Sequence, residues 1–210
     1  MKKIVAYLKK TYPEPKSELE HKTPLQFAVA VILSAQCTDK AVNRLTETLF
    51  KKYKTPKDFA AANLAQFTKE ISSIPFFRNK AKAIIGAAKI VVHQHGGKLP
   101  QDENTLQQLP GIGYKTAHVI AGELFSRWSG IPTDTHVKRF AKKFDLTDNN
   151  DLKKISHDLE ALVPKKDWKY VNNGFVLYGR YVCKANEHDC SAHPLTKLWP
   201  KAAERWPKTK

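Results

Sequence analysis

Apolar residues along this chain recur three and four positions apart rather than in alternation, and that period builds helices, not sheets. Val42, Leu45, Leu49 and Phe50 share one face of a segment opening after Thr38 or Asp39, either a good N-cap. Ala81, Ile84, Ile85, Ala88, Val91 and Val92 form the most regular stripe, over 78–95, and Gly96-Gly97 stops it. A first helix over 2–10 ends before Pro13-Glu14-Pro15, and a second opens at Thr23-Pro24 with Pro in the first helical position. Helical spacing continues over 105–109, 114–128, 135–144, 151–163 and 169–183, so an all-α chain of about ten short helices is expected. The segment over 114–128 is apolar on nearly every side and is expected to lie centrally.

At 210 residues the chain can form one large domain or two small ones, and it needs no disulfides to fold. Its three cysteines, Cys37, Cys183 and Cys190, are expected to be reduced thiols of a cytoplasmic protein. Met1-Lys2-Lys3-Ile4 is not followed by the apolar run of a secretion signal, and no stretch reaches the roughly 18 apolar residues of a membrane span. Lys and Arg outnumber Asp and Glu by 36 to 20, a formal charge of +16. That excess is a statement about partners, and nucleic acid fits it better than a membrane surface because no segment combines a basic face with the continuous apolar face of a membrane-lying helix. Binding should accordingly weaken steeply with salt.

The informative turn is Leu109-Pro110-Gly111-Ile112-Gly113-Tyr114-Lys115-Thr116. Gly111 and Gly113 let the backbone turn tightly and approach a ligand, while N–H groups opening the next helix favour an anion such as a DNA phosphate. It is not a Walker loop, since the Gly-x-x-x-x-Gly-Lys-[Ser/Thr] spacing is absent, and a plain glycine-capped turn between helices is the competing reading. Lys115 then stands in the first turn of a nearly apolar helix. Desolvation there would favour its neutral form, a nucleophile able to make Schiff bases. Nineteen residues on, Asp134 opens a further amphipathic helix, either as its N-cap or as a carboxylate that assists the amine.

The run Leu-Pro-Gly-Ile-Gly-Tyr-Lys-Thr-Ala, followed by Pro-Thr-Asp-Thr-His-Val, resembles the helix-hairpin-helix DNA glycosylases, specifically the endonuclease III family. Ile32-Leu33-Ser34-Ala35-Gln36-Cys37-Thr38-Asp39, the stretch from Lys80-Ala81 to Leu99-Pro100, and Tyr178-Gly179-Arg180-Tyr181-Val182-Cys183 are similar to further family segments in the same order. The resemblance implies an all-α, two-lobed fold. A six-helix barrel domain over 17–127 would carry the hairpin at about 105–127, and a second domain would join 1–16 to 128–210, with the active site between the lobes. It also implies that Lys115 attacks C1′ of a damaged nucleotide, that Asp134 assists, and that the base is flipped out of double-stranded DNA. Gln36 matches the family's inserting glutamine, and Phe76 best matches a second wedge that is usually leucine, although it could instead be core. Gly111, Gly113 and Thr116 would contact DNA, and His136 would either support the site or stand on a helix surface. A monomer in the cytoplasm, on the nucleoid if bacterial, acting on oxidised pyrimidines or abasic sites, is what the likeness implies. A monofunctional mismatch glycosylase and a non-catalytic damage-binding module are the alternatives, and the presence of both Lys115 and Asp134 speaks against the second.

The chain departs from the family at its end. Endonuclease III proteins usually carry Cys-x₆-Cys-x₂-Cys-x₅-Cys around an iron–sulfur cluster. Here Cys183 and Cys190 keep the first spacing, but His193 and Trp199 take the third and fourth places. Indole cannot ligate iron, so the ligand set is incomplete and no [4Fe-4S] cluster or other cofactor is expected. Cys183, Cys190, His188 and His193 could form a zinc set of unusual spacing. The alternative is a metal-free tail packed by Trp199, Pro200, Trp206 and Pro207.

Overall fold

The computed structural model describes residues 1–207, and every regular element among them is helical. The chain divides into two compact units, Glu18–Arg127 and Met1–Ser17 joined with the chain from Trp128 on.

The continuous unit contains α2 (Pro24–Ser34), α3 (Asp39–Lys52), α4 (Pro56–Ala60), α5 (Leu64–Glu70), α6 (Phe77–Gln94), α7 (Glu103–Gln107) and α8 (Tyr114–Phe125), following α1 (Lys2–Thr11) of the other unit. Five of these seven begin on a side-chain cap: Thr23, Thr38, Thr55, Asn63 and Asp102 each accept a first-turn N–H. The two exceptions, α6 and α8, start at Phe76 and Gly113 without a side-chain cap.

The most enclosed helix is α2, with Leu25, Phe27, Ala28, Val29, Ala30, Ile32 and Leu33 all buried. This corrects the expectation for α8, whose burial follows one side only, through Ala117, His118, Ile120, Ala121 and Gly122. Around α2 pack the Val42 and Leu49 face of α3 and the Ala81, Ile84, Ala88 and Val91 stripe of α6. Each buried Ile, Leu or Phe contributes about 1.5–3 kcal/mol of transfer free energy.

The second unit is built from α1, α9 (Thr135–Lys143), α10 (Leu152–Leu162), α11 (Trp168–Tyr181) and the short α12 (Pro194–Leu198). Two glycines of α11 let its neighbours close in. A Cβ at Gly174 would stand 3.2 Å from Leu8, and one at Gly179 would run into His136 Nδ1 and lie 2.9 Å from Arg139 Nη2. Two cations of α9 are buried and tied to the C-terminal loops. Arg139 donates from Nη2 to Cys183 O at 2.8 Å and from Nη1 to Lys184 O at 3.2 Å, and Lys143 Nζ donates to Arg205 O at 2.7 Å.

The expected tail cluster is only half present. Trp206 packs on the core of this unit, but Trp199 is 39% exposed and donates its Nε1–H to Asp145 Oδ2 at 3.3 Å.

Candidate nucleic-acid interface and active site

Among the described residues, four that are not glycine have left-handed backbone: Gln36, Phe76, Ser126 and Asp145. Gln36, Ser126 and Asp145 follow helix ends, where this conformation is common. Phe76 alone stands at a helix start, with φ 58°, and its ring is 59% exposed. A non-glycine residue held this way costs about 1 kcal/mol or more, and an exposed aromatic gains no burial to offset it. This excludes the core reading of Phe76. Gln36 is exposed as well.

Lys80 joins the two loops. It is 7% exposed, and its Nζ donates to Leu33 O at 2.8 Å and Ala35 O at 2.7 Å, the carbonyls that end α2 just before Gln36. Its own backbone N–H donates to Phe76 O at 3.1 Å. Burial pushes the Lys80 ammonium pKa down, while Cys37 nearby opposes that shift. The ammonium is kept by two charge-assisted hydrogen bonds to carbonyls at the negative end of a helix. Lys80→Met keeps the apolar stem and leaves those carbonyls without their donor, so about 1–3 kcal/mol of stability should be lost. Thermal or urea unfolding reads this directly, and an unchanged midpoint would refute the clamp.

The glycine turn meets the same place. Gly111 has φ 82°, and a Cβ there would stand 2.9 Å from Ala83 Cβ of α6 and 3.4 Å from Ile32 of α2. Ile112 is buried beneath the turn. Gly113 has φ −83°, open to any residue, and nothing lies within 4 Å of a Cβ built on it. Gly111 is therefore fixed by conformation and packing, whereas Gly113 leaves space at an uncapped helix N-terminus. Across the hairpin, His118 Nε2 lies 3.6 Å from Glu103 Oε2, and the Tyr114 ring packs on His118 at 4.1 Å between centroids. The α2 end, the α6 start and the hairpin turn thus converge around Ile32, Leu33, Lys80 and Ala83.

Lys115 is the second residue of α8 and is exposed, with Thr116 half-buried behind it. The expectation of a desolvated amine is corrected here: an apolar helix buries its later turns, but its first turn projects past the core.

In the second unit, Asp134 caps α9 by accepting the Val137 N–H at 2.8 Å and is half-buried. The chain leading into it is pinned. Asn172 Nδ2 donates to Pro132 O at 2.6 Å, and Ser156 Oγ donates to Ile131 O at 2.8 Å. His136 is half-buried against Gly179 of α11, which is more enclosed than a surface histidine.

Cys183 and Cys190 are fully buried, and both sulfurs lie within 4.8 Å of each other and of a ring nitrogen of His193. A [4Fe-4S] cluster does not fit this donor set. It needs a fourth ligand where Trp199 turns to Asp145, and it holds its thiolates on separate irons, farther apart than ligands of one ion. Sequence reasoning missed Lys80 and the His118–Glu103 brace. Lys80 and His118 are polar residues inside otherwise apolar helix stripes, which is the signal that could have found them.

Residues 29–165 match the family described as HhH-GPD superfamily base excision DNA repair protein. Along nearly its whole length the chain is similar to endonuclease III of Bacillus subtilis strain 168, 40% identical over 92% of this chain and 89% of that protein. Endonuclease III of Synechocystis sp. strain PCC 6803 is also 40% identical, over 95% and 91%. A solved structure described as a trapped endonuclease III–DNA covalent intermediate, an estranged-adenine complex, superposes with TM-score 0.88 at 34% identity, covering 98% of this chain and 97% of that one. The chain belongs to the endonuclease III family of helix-hairpin-helix base excision DNA repair enzymes.

Proposed function

We propose that this enzyme removes oxidised pyrimidines from duplex DNA through an imine formed by Lys115 and then cuts the strand as an abasic-site lyase. The observation that carries this reading is the exposed Lys115 at the uncapped start of α8, directly behind the Gly111 turn. Backbone N–H groups at Gly113 and beyond would hold a phosphate of the damaged strand, and water leaves the amine only when DNA covers it. The Nζ lone pair attacks C1′, the damaged base departs with the electrons of the glycosidic bond and takes up a proton, and the sugar ring opens to a protonated imine. Loss of the C2′ proton then expels the 3′ phosphate by β-elimination. Asp134 is assigned the carboxylate that assists proton movement and steadies positive charge on the sugar. Action in the cytoplasm, on a nucleoid if the source is bacterial, belongs to the same proposal.

Flipping the nucleotide leaves a gap in the stack, and Gln36 and Phe76 are assigned to fill it. The geometry at Phe76 gives this a sharp test. Phe76→Gly relieves the left-handed strain, so stability should change by no more than about 1 kcal/mol. Loss of aromatic stacking worth roughly 1–3 kcal/mol should lower lesion processing by about 10- to 100-fold. If unfolding shifts while single-turnover base removal does not, the wedge is refuted.

The governing experiment is borohydride trapping on a duplex carrying one thymine glycol. A covalent adduct supports the imine. Base loss revealed by alkali without an adduct would replace the proposal by a monofunctional glycosylase. Neither adduct nor base loss, on this duplex and on an abasic-site duplex, would refute it.

A further inference from the structure

The loop around Cys183 has a second unexplained feature. His188 and His193 face each other with ring centroids 5.2 Å apart, and His188 Nε2 and His193 Nδ1 are both buried without a hydrogen-bond partner. A buried imidazole nitrogen left unpaired costs free energy that folding does not normally tolerate. The opposite nitrogen of His188 is committed: Nδ1 lies 2.7 Å from Asn186 O, so it carries the proton and leaves Nε2 as a lone pair. A backbone carbonyl holding one ring nitrogen while the other presents a lone pair is the arrangement that orients metal-binding histidines.

We infer that Cys183, Cys190, His193 and His188 bind a single thiophilic divalent ion of the zinc type, in place of an iron–sulfur cluster. Ligands about 2.0–2.3 Å from one tetrahedral ion stand roughly 3.5–4 Å apart, and the cysteine sulfurs and a His193 nitrogen already lie within 4.8 Å. His188 stands outside that group of three, with its ring centroid 5.2 Å from that of His193, and completes the set by turning its Nε2 toward the ion. One cation of α9 reaches a sulfur, Arg139 Nη1 lying 4.0 Å from Cys183 Sγ, while Lys143 Nζ lies 3.8 Å from the Trp206 ring centroid. Ion binding replaces the thiol protons, which pass to solvent. The Trp206 ring meets His188 edge-on at 4.9 Å and shields it, so this tryptophan is a wall of the site and not a substitute for it. The orphaned nitrogens are what favour an ion over a metal-free apolar tail.

The test uses the full-length protein, purified without chelator and analysed for zinc, iron and acid-labile sulfide, then stripped and titrated with cobalt(II). About one equivalent of zinc is expected, with no iron or sulfide. The cobalt form should show a thiolate-to-cobalt charge-transfer band and the intense visible bands of tetrahedral coordination. His188→Gln, which keeps both thiols, should weaken cobalt binding at least tenfold, and Cys190→Ser should reduce the charge-transfer band. If the serine variant fails to fold, protection of the two buried thiols from a thiol reagent by added zinc in the wild type gives the same answer. Iron with sulfide, weak octahedral cobalt bands indifferent to His188→Gln, or no binding and no thiol protection would each overturn the inference. None of these outcomes bears on Lys115, so the glycosylase reading is judged separately.

Discussion

Lys115→Gln is expected to abolish the borohydride-trapped adduct and to lower base release and strand cleavage at least about 10³-fold, a loss of about 4 kcal/mol in transition-state stabilisation. The size follows from the role. A glutamine amide nitrogen has no available lone pair, so the covalent route closes and only positioning by the fold remains. The control is unusually clean, because Lys115 is exposed on the first turn of α8 and Gln is nearly as good a helix former. Unfolding should therefore move by less than about 0.5 kcal/mol, and the loss can be read as chemistry. Lesion binding should weaken only modestly, since one of many positive charges is lost. An adduct that survives in the variant would show that a different amine forms it and would remove Lys115 from the mechanism.

The sequence was most legible where physics is local. Thr23, Thr38 and Asp151 cap helices as their chemistry demands, and the stripe from Ala81 to Val91 faces the core. The turn at Gly111 was readable because φ 82° beside Ala83 admits almost nothing else. What periodicity conceals is depth. It identifies the face a helix buries but not how far along its axis burial extends, so the depth of Lys115 and of α8 as a whole was misjudged. Nor does it carry distant side-chain contacts. Lys80 lies next to the Ala81 stripe, yet its role depends on carbonyls of Leu33 and Ala35, and no local pattern encodes that pairing. The five-residue α12 escaped for a simpler reason: it is too short to show a period.

Asp134 poses the opposite problem to Lys115, because it has a visible structural duty that could account for its presence. Its carboxylate accepts the Val137 N–H, and removal of such a cap costs about 1 kcal/mol. Asn caps a helix as well as Asp, so Asp134→Asn separates the two duties. It should preserve the cap and lose only the charge at the helix N-terminus, worth about 0.3–1 kcal/mol. Activity should nevertheless fall by about 10²–10⁴-fold, the range lost when a group that moves protons is replaced by one that cannot. Asp134→Ala should fall as far in activity and also lose the cap, so its extra cost appears only in unfolding. The diagnostic is the divergence between the two measurements: stability should order the variants wild type, Asn, Ala, whereas single-turnover base release should place Asn beside Ala. An Asn variant as active as the wild type would reduce Asp134 to a helix cap and require another group to assist the amine.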